Sequence, residues 1–141
     1  MSAVDLRMAQ KMVEAALARA AEMEVPIAVA VCDGGGHLVA FARDAGCMIL
    51  AAETVQAKAR TAVYFQRPSS ETVERSRNHP TVYGSFVEVS NAPIVMSMGG
   101  FPLWEEGEIV GGIGAAGGTG AEDAEISAAG LAVWEAAATQ S

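Results

Sequence analysis

Side chains able to do chemistry are sparse and widely spaced in this 141-residue sequence. His37 and His79 are its two histidines, and imidazole can ligate a metal or shuttle a proton near neutral pH. Neither has Cys or carboxylate partners at the spacing of a zinc motif, so zinc is not expected. Each also suits a plain surface role, His37 beside a turn and His79 in an irregular segment before Pro80. Cys32 and Cys47 show no C-x-x-C spacing and give no disulfide framework. Cys47 lies near a predicted helix start, which can activate a thiol; a small buried residue is the simpler role.

Lys58 and Arg60 are cations kept close together in an acidic chain. They fit a ligand carboxylate through charge-assisted hydrogen bonds. Helix salt bridging is the plainer use, yet Glu53 stands five residues from Lys58, off the i,i+4 spacing. Glu105, Glu106 and Glu108 could do acid–base work and equally suit a solvated hairpin tip. Glu122, Asp123 and Glu125 fit the first turn of a helix, where negative charge is favoured. No Ser-His-Asp or Cys-His arrangement can be read from the spacing.

Gly112-Ile-Gly-Ala-Ala-Gly117 matches G-x-G-x-x-G literally. A dinucleotide site needs a βαβ unit and a later acidic residue at a second strand end. Only one helix follows here, and its first carboxylates would repel a pyrophosphate. Neither NAD nor FAD is therefore expected. The glycines suit close backbone approach within a strand, and Gly117 and Gly118 could offer N–H groups to a ligand.

The elements that must position these residues follow from periodicity and breakers. Residues 2–24 read as a helix with a Ser2–Asp5 capping box. Pro26–Cys32 and His37–Arg43 form a hairpin around Asp33-Gly-Gly-Gly36. Cys47–Gln66 has helical periodicity, and Glu71–Arg77 is a short helix. An irregular stretch runs from Asn78 to Ala92. Pro93–Met98, Phe101–Glu105 and Glu108–Ala115 read as strands. Thr119 and Glu122 form a capping box for the last helix. The order α-β-β-α-α-β-β-β-α predicts an α+β fold, a five-stranded antiparallel sheet flanked by helices. Residues 1–141 show no linker or repeat and read as one domain.

Composition narrows the function class. Seventeen acidic against nine basic residues give a net charge of −8. That argues against a nucleic-acid partner, which needs clustered cations, and against an anionic membrane surface. Half the residues are apolar, enough for a core without disulfide or metal. No apolar run is long enough to span a membrane, and charges interrupt the first 15 residues where a signal peptide would be apolar. A cytoplasmic location is the expectation.

Four segments carry a resemblance. Val31-Cys-Asp-Gly-Gly-Gly-His-Leu-Val-Ala40, Ala57-Lys-Ala-Arg-Thr-Ala62, Gly99-Gly100 followed by Glu108-Ile-Val-Gly-Gly-Ile-Gly114, and Glu122-Asp123 occur in the order seen in the GlcG/HbpS-like family. The chain resembles that family over nearly its whole length. The resemblance implies a profilin-like fold, homo-oligomers and, in some members, haem binding. It also implies kinship with the C-terminal domain of PduO-type corrinoid adenosyltransferases. Departures are Met96-Ser97-Met98 ahead of Gly99-Gly100, Ala115-Ala116 where a small polar residue is usual, and a first helix without His. The expectation is a homo-oligomeric binder of a small molecule, haem or a corrinoid. His37 would reach a haem iron, Lys58 and Arg60 would meet carboxylates, and Gly117 and Gly118 would line the pocket. The alternative is a small catabolic enzyme, an isomerase, lyase or haem-degrading protein, acting on an organic acid or on haem.

Overall fold

The computed structural model describes residues 4–139. Helix α1 (Leu6–Met23) begins where Asp5 accepts a hydrogen bond from the Met8 amide at 2.8 Å. Asp5 is thus the N-cap, and Ser2 lies outside the described residues. Ala9, Met12, Val13, Ala16 and Ala20 give α1 its buried stripe, at the spacing that puts one face toward a core. β1 (Ala28–Asp33) and β2 (Leu38–Arg43) form the expected hairpin. α2 (Ala51–Phe65) follows, then α3 (Ser69–Asn78) and α4 (Pro80–Val89). β3 (Gly100–Glu105), β4 (Glu108–Ala116) and α5 (Gly120–Thr139) complete the described residues.

The sheet has four strands, all antiparallel, in the order β2-β1-β4-β3. This corrects the expected five. Pro93–Met98 pairs with no strand and turns at its end, where the Ser97 amide donates to the Val95 carbonyl at 3.1 Å; it runs instead along α2. The Val95 amide donates to Thr61 Oγ1 at 3.0 Å, and the Pro93 carbonyl accepts from Arg60. A short apolar run cannot reveal whether its backbone partners are a strand or a helix's side chains. A second correction concerns residues 78–92. Pro80 ends α3 and opens α4 as its first-turn proline, the place where a missing N–H costs nothing. The middle helix also starts four residues later than its periodicity suggested, because Asp44–Leu50 is a turn.

One sheet face carries α1 and α5 over Val29, Val31, Leu103 and Ile113. Each fully buried aliphatic side chain there contributes roughly 1.5–3 kcal/mol. The other face carries α2 over Ala28, Ala30 and Cys32. Small residues dominate this second face because α2 lies almost on the backbone. A Cβ at Gly112 would stand 2.6 Å from the Ala59 carbonyl oxygen, and one at Gly114 2.8 Å from that of Val55. The literal G-x-G-x-x-G therefore sits in an antiparallel strand, where it admits a helix.

Candidate functional site

The Asp33–Gly36 turn places the first candidate. Asp33 Oδ1 accepts from the amides of Gly35 and His37 at 3.0 and 2.9 Å, a local Asx arrangement that fixes the tip. Gly36 has φ +84°, and a Cβ there would meet Arg60 Cγ at 2.9 Å and the Tyr64 ring at 3.0 Å. Glycine is required both by the left-handed backbone and by the side chains resting on it. His37 then projects outward, its side chain 83% exposed, with Nδ1 3.4 Å from Asp33 Oδ1. A carboxylate at Nδ1 leaves Nε2 as the outward-facing donor to a metal.

Arg60 arrives at the same tip from α2. Its Nε donates to the Gly36 carbonyl at 3.3 Å and its Nη1 to that of Pro93 at 2.5 Å. Two of its five N–H groups are thus spent on holding the loop and the Pro93 segment. Arg60 also walls a cavity of about 250 Å³ with Glu53, Gln56 and Pro93.

Between these groups lies a surface that sequence reasoning did not single out. Leu38 and Phe41 pair across the hairpin with Cys32 and Ala30, so they stand on the α2 side of the sheet. α2 covers β1, β4 and β3 and stops short of β2. Leu38 and Phe41 are left 48% and 41% exposed, an open apolar shelf. His37 begins it and Arg43 ends it. The Arg43 guanidinium donates to the Cys47 carbonyl at 3.0 Å, tying in a turn where Met48, Ile49 and Leu50 are all exposed.

Lys58 and Gly118 lie elsewhere. Lys58 is 4% exposed. Its Nζ sits 2.6 Å from Asp123 Oδ2 and 3.1 Å from the Ala115 carbonyl oxygen. The Gly118 amide donates to the other Asp123 oxygen at 2.9 Å. So Lys58, expected at a ligand carboxylate, meets the protein's own Asp123. Burial pushes the Asp123 carboxyl up, and the Lys58 ammonium and Gly118 amide act against that shift. Gly117 (φ +131°) packs on Cys47 Sγ and the Pro26 carbonyl. The structure therefore divides the candidates, bringing His37 to Arg60 and Gly118 to Lys58. By its position Asp123 suits a helix-start charge and a family-like segment, and nothing local in the sequence links it to Lys58.

Both thiols are buried. Burial pushes Cys32 up to about 12 and raises Cys47 as well. Among the described residues no group of three or more His, Cys, Asp or Glu side chains could hold a metal ion. No described helix is long and apolar enough to cross a membrane.

Comparison with known proteins places this arrangement. The family described as "Haem degrading protein HbpS-like" matches residues 4–132. Protein GlcG of Escherichia coli K12 is 35% identical over 109 residues, 77% of each chain. The corrinoid adenosyltransferase PduO of Citrobacter freundii is 27% identical over 122 residues, 86% of this chain; the match spans 36% of that relative. A crystal structure of a double mutant of Streptomyces reticuli HbpS has a TM-score of 0.85 at 30% identity, covering 94% of this chain and 88% of the other. A structure described as a PduOC:heme complex also scores 0.85, at 26% identity, covering 94% and 95%. The chain belongs to the HbpS-like family.

Proposed function

We propose that this chain is a homo-oligomeric binding protein for a flat tetrapyrrole, with haem as the first candidate, built on a profilin-like scaffold. The observation that carries the reading is the open shelf of Leu38 and Phe41 with His37 at one end. A haem needs an apolar surface for its ring, an axial donor and cations for its propionates. Leu38 and Phe41 offer the first, and His37 Nε2, oriented through Asp33, the second. Arg60 and Arg43, each with N–H groups to spare, offer the third. These residues fit the group, which would supply redox or ligand-binding chemistry at its iron when bound. The protein's part is to hold the ring, orient the imidazole and neutralise the carboxylates. The relative solved with haem and the family description point the same way.

In this reading Lys58, Gly117 and Gly118 do not touch the ring. Lys58 and Gly118 join α2, the end of β4 and the start of α5 through Asp123, and Gly117 packs on Cys47 and Pro26. The likeness to part of an adenosyltransferase makes a corrinoid the second occupant to test. Absorbance titration with haem and, separately, with cobalamin distinguishes them. Saturation by haem with a sharp Soret band, shifted in His37→Ala and weakened several-fold in Arg60→Ala, is the expected result. A broad, non-saturating band that neither variant alters would contradict it, and saturation by cobalamin alone would reassign the ring.

A further inference from the structure

Helix α4 is unlike every other helix in the fold. Of its ten residues none is buried and only Tyr83 is half-buried. Its contacts with the body are to α3 and to Phe65, whose ring lies 5.7 Å from Tyr83 and 6.0 Å from Phe86. Yet its composition is apolar, with Val82, Phe86, Val87 and Val89 all exposed. A ten-residue helix is marginal in water by itself, and most helical stability in proteins comes from packing an apolar face. Here only Tyr83 and part of the Phe86 ring are covered, by Phe65, and Val82 and Val89 stay exposed in the single chain.

The geometry points to α4 as a seam between two copies of this chain, paired antiparallel about a two-fold axis that passes between Ser85 and Phe86. This rests on the oligomeric reading above and names its interface. Val82, Ser85, Phe86 and Val89 fall at i, i+3, i+4 and i+7, one stripe of an α-helix. The stripe is symmetric about its own midpoint: Val82 stands three residues before Ser85, and Val89 three residues after Phe86. In an isologous contact each side presents the same patch reversed, so this spacing sets the axis between Ser85 and Phe86. Val82 of one copy would meet Val89 of the other, and the small Ser85 would leave room for the two Phe86 rings at the axis.

Charge favours a second copy as the occupant. The chain carries a net −8, so most of its surface repels a copy of itself. Residues 79–100 hold a single charged residue, Glu88, making this the stretch where two copies approach with least repulsion. An antiparallel crossing also opposes the helix dipoles. It turns each Glu88 toward the first turn of the partner's α4, where a negative charge is favoured.

Light scattering of purified full-length chain, with cysteine cross-linking, tests the seam. Cys32 and Cys47 are buried, so an introduced surface thiol reports its own surroundings. Wild type is expected above 14.5 kDa, and Val89→Asp to reduce the mass at least two-fold while its circular dichroism is unchanged. Ser85→Cys should form a disulfide-linked dimer on mild oxidation. Val87→Cys, on the other side of the helix, should not. An assembly unchanged by Val89→Asp, with no Ser85→Cys cross-link, would overturn the seam while leaving oligomerisation standing. A monomer at every concentration would overturn both.

Discussion

At the scale of the residue, the Lys58–Asp123 pair shows what burial does to a charge. An exposed ion pair contributes about 0–1 kcal/mol. This one is enclosed, so its value lies in what happens when one partner is lost. Asp123→Ala leaves an uncompensated ammonium and should cost about 3–5 kcal/mol, whereas the apolar double replacement Lys58→Met with Asp123→Leu should recover most of that. Urea unfolding of wild type and these two variants checks it; equal loss in the single and double variants would mean that packing, not charge, sets the cost. Cys32 gives a pH test. Its thiol titrates in the folded chain at about 12, above the ordinary 9.0. The native state therefore holds this proton more tightly than the unfolded state. The resulting stabilisation is complete below pH 9 and is lost as the pH rises toward 12. The urea midpoint should fall over that range less steeply in Cys32→Ala than in wild type. Of these groups, the sequence marked Lys58 as unusual but not why: its partner is 65 residues away, and no local spacing encodes such a pairing. His37 and Arg60 were legible because a glycine-rich turn and a cation-bearing helix are local patterns. Leu38 and Phe41 were not, since a return strand looks the same whether or not a helix covers it.

At the scale of the element, the first hairpin and the start of the last helix were written locally, while the start of α2, the whole of α4 and the failure of Pro93–Met98 to join the sheet were not. Thr119 and Glu122 exchange the two bonds of a capping box, with the Glu122 amide 3.2 Å from Thr119 Oγ1 and the Thr119 amide 2.8 Å from Glu122 Oε1. Thr119→Ala should therefore cost about 0.5–2 kcal/mol, read as a lowered thermal midpoint; no change would mean that α5 is held by packing alone. β4 makes the complementary point. Gly114→Val would drive a branched side chain into α2, where even a Cβ stands 2.9 Å from the Ala59 amide nitrogen. Overpacking of this kind costs about 1–3 kcal/mol or more, and a melt indistinguishable from wild type would show that α2 can move away. Pro93–Met98 has the apolar, branched composition of a strand and forms an irregular strap on α2. Strand propensity describes a fit to a half-buried surface, and the side of α2 supplies such a surface without a ladder. Pro80 was visible in the sequence as a breaker; that it opens a helix depended on Thr81–Val89 being able to continue one.

At the scale of the molecule, the two sheet faces have different roles. Large aliphatic residues under α1 and α5 give the fold its core. Small residues under α2 let that helix sit close over β1, β4 and β3, leaving the β2 side open, with cations at both ends and an imidazole at the tip. The fold and its family were legible from motif order, while the open shelf depends on where α2 stops. In the proposed function this shelf, rather than any other surface, receives the ring. The most direct measurement is amide chemical-shift mapping of the isotope-labelled chain on titration with a diamagnetic metalloporphyrin. Saturable shifts concentrated at Asp33–Arg43 and around Arg60, with the Lys58–Asp123 region nearly still, are the expected result. Saturable shifts centred elsewhere, or none at all, would contradict it.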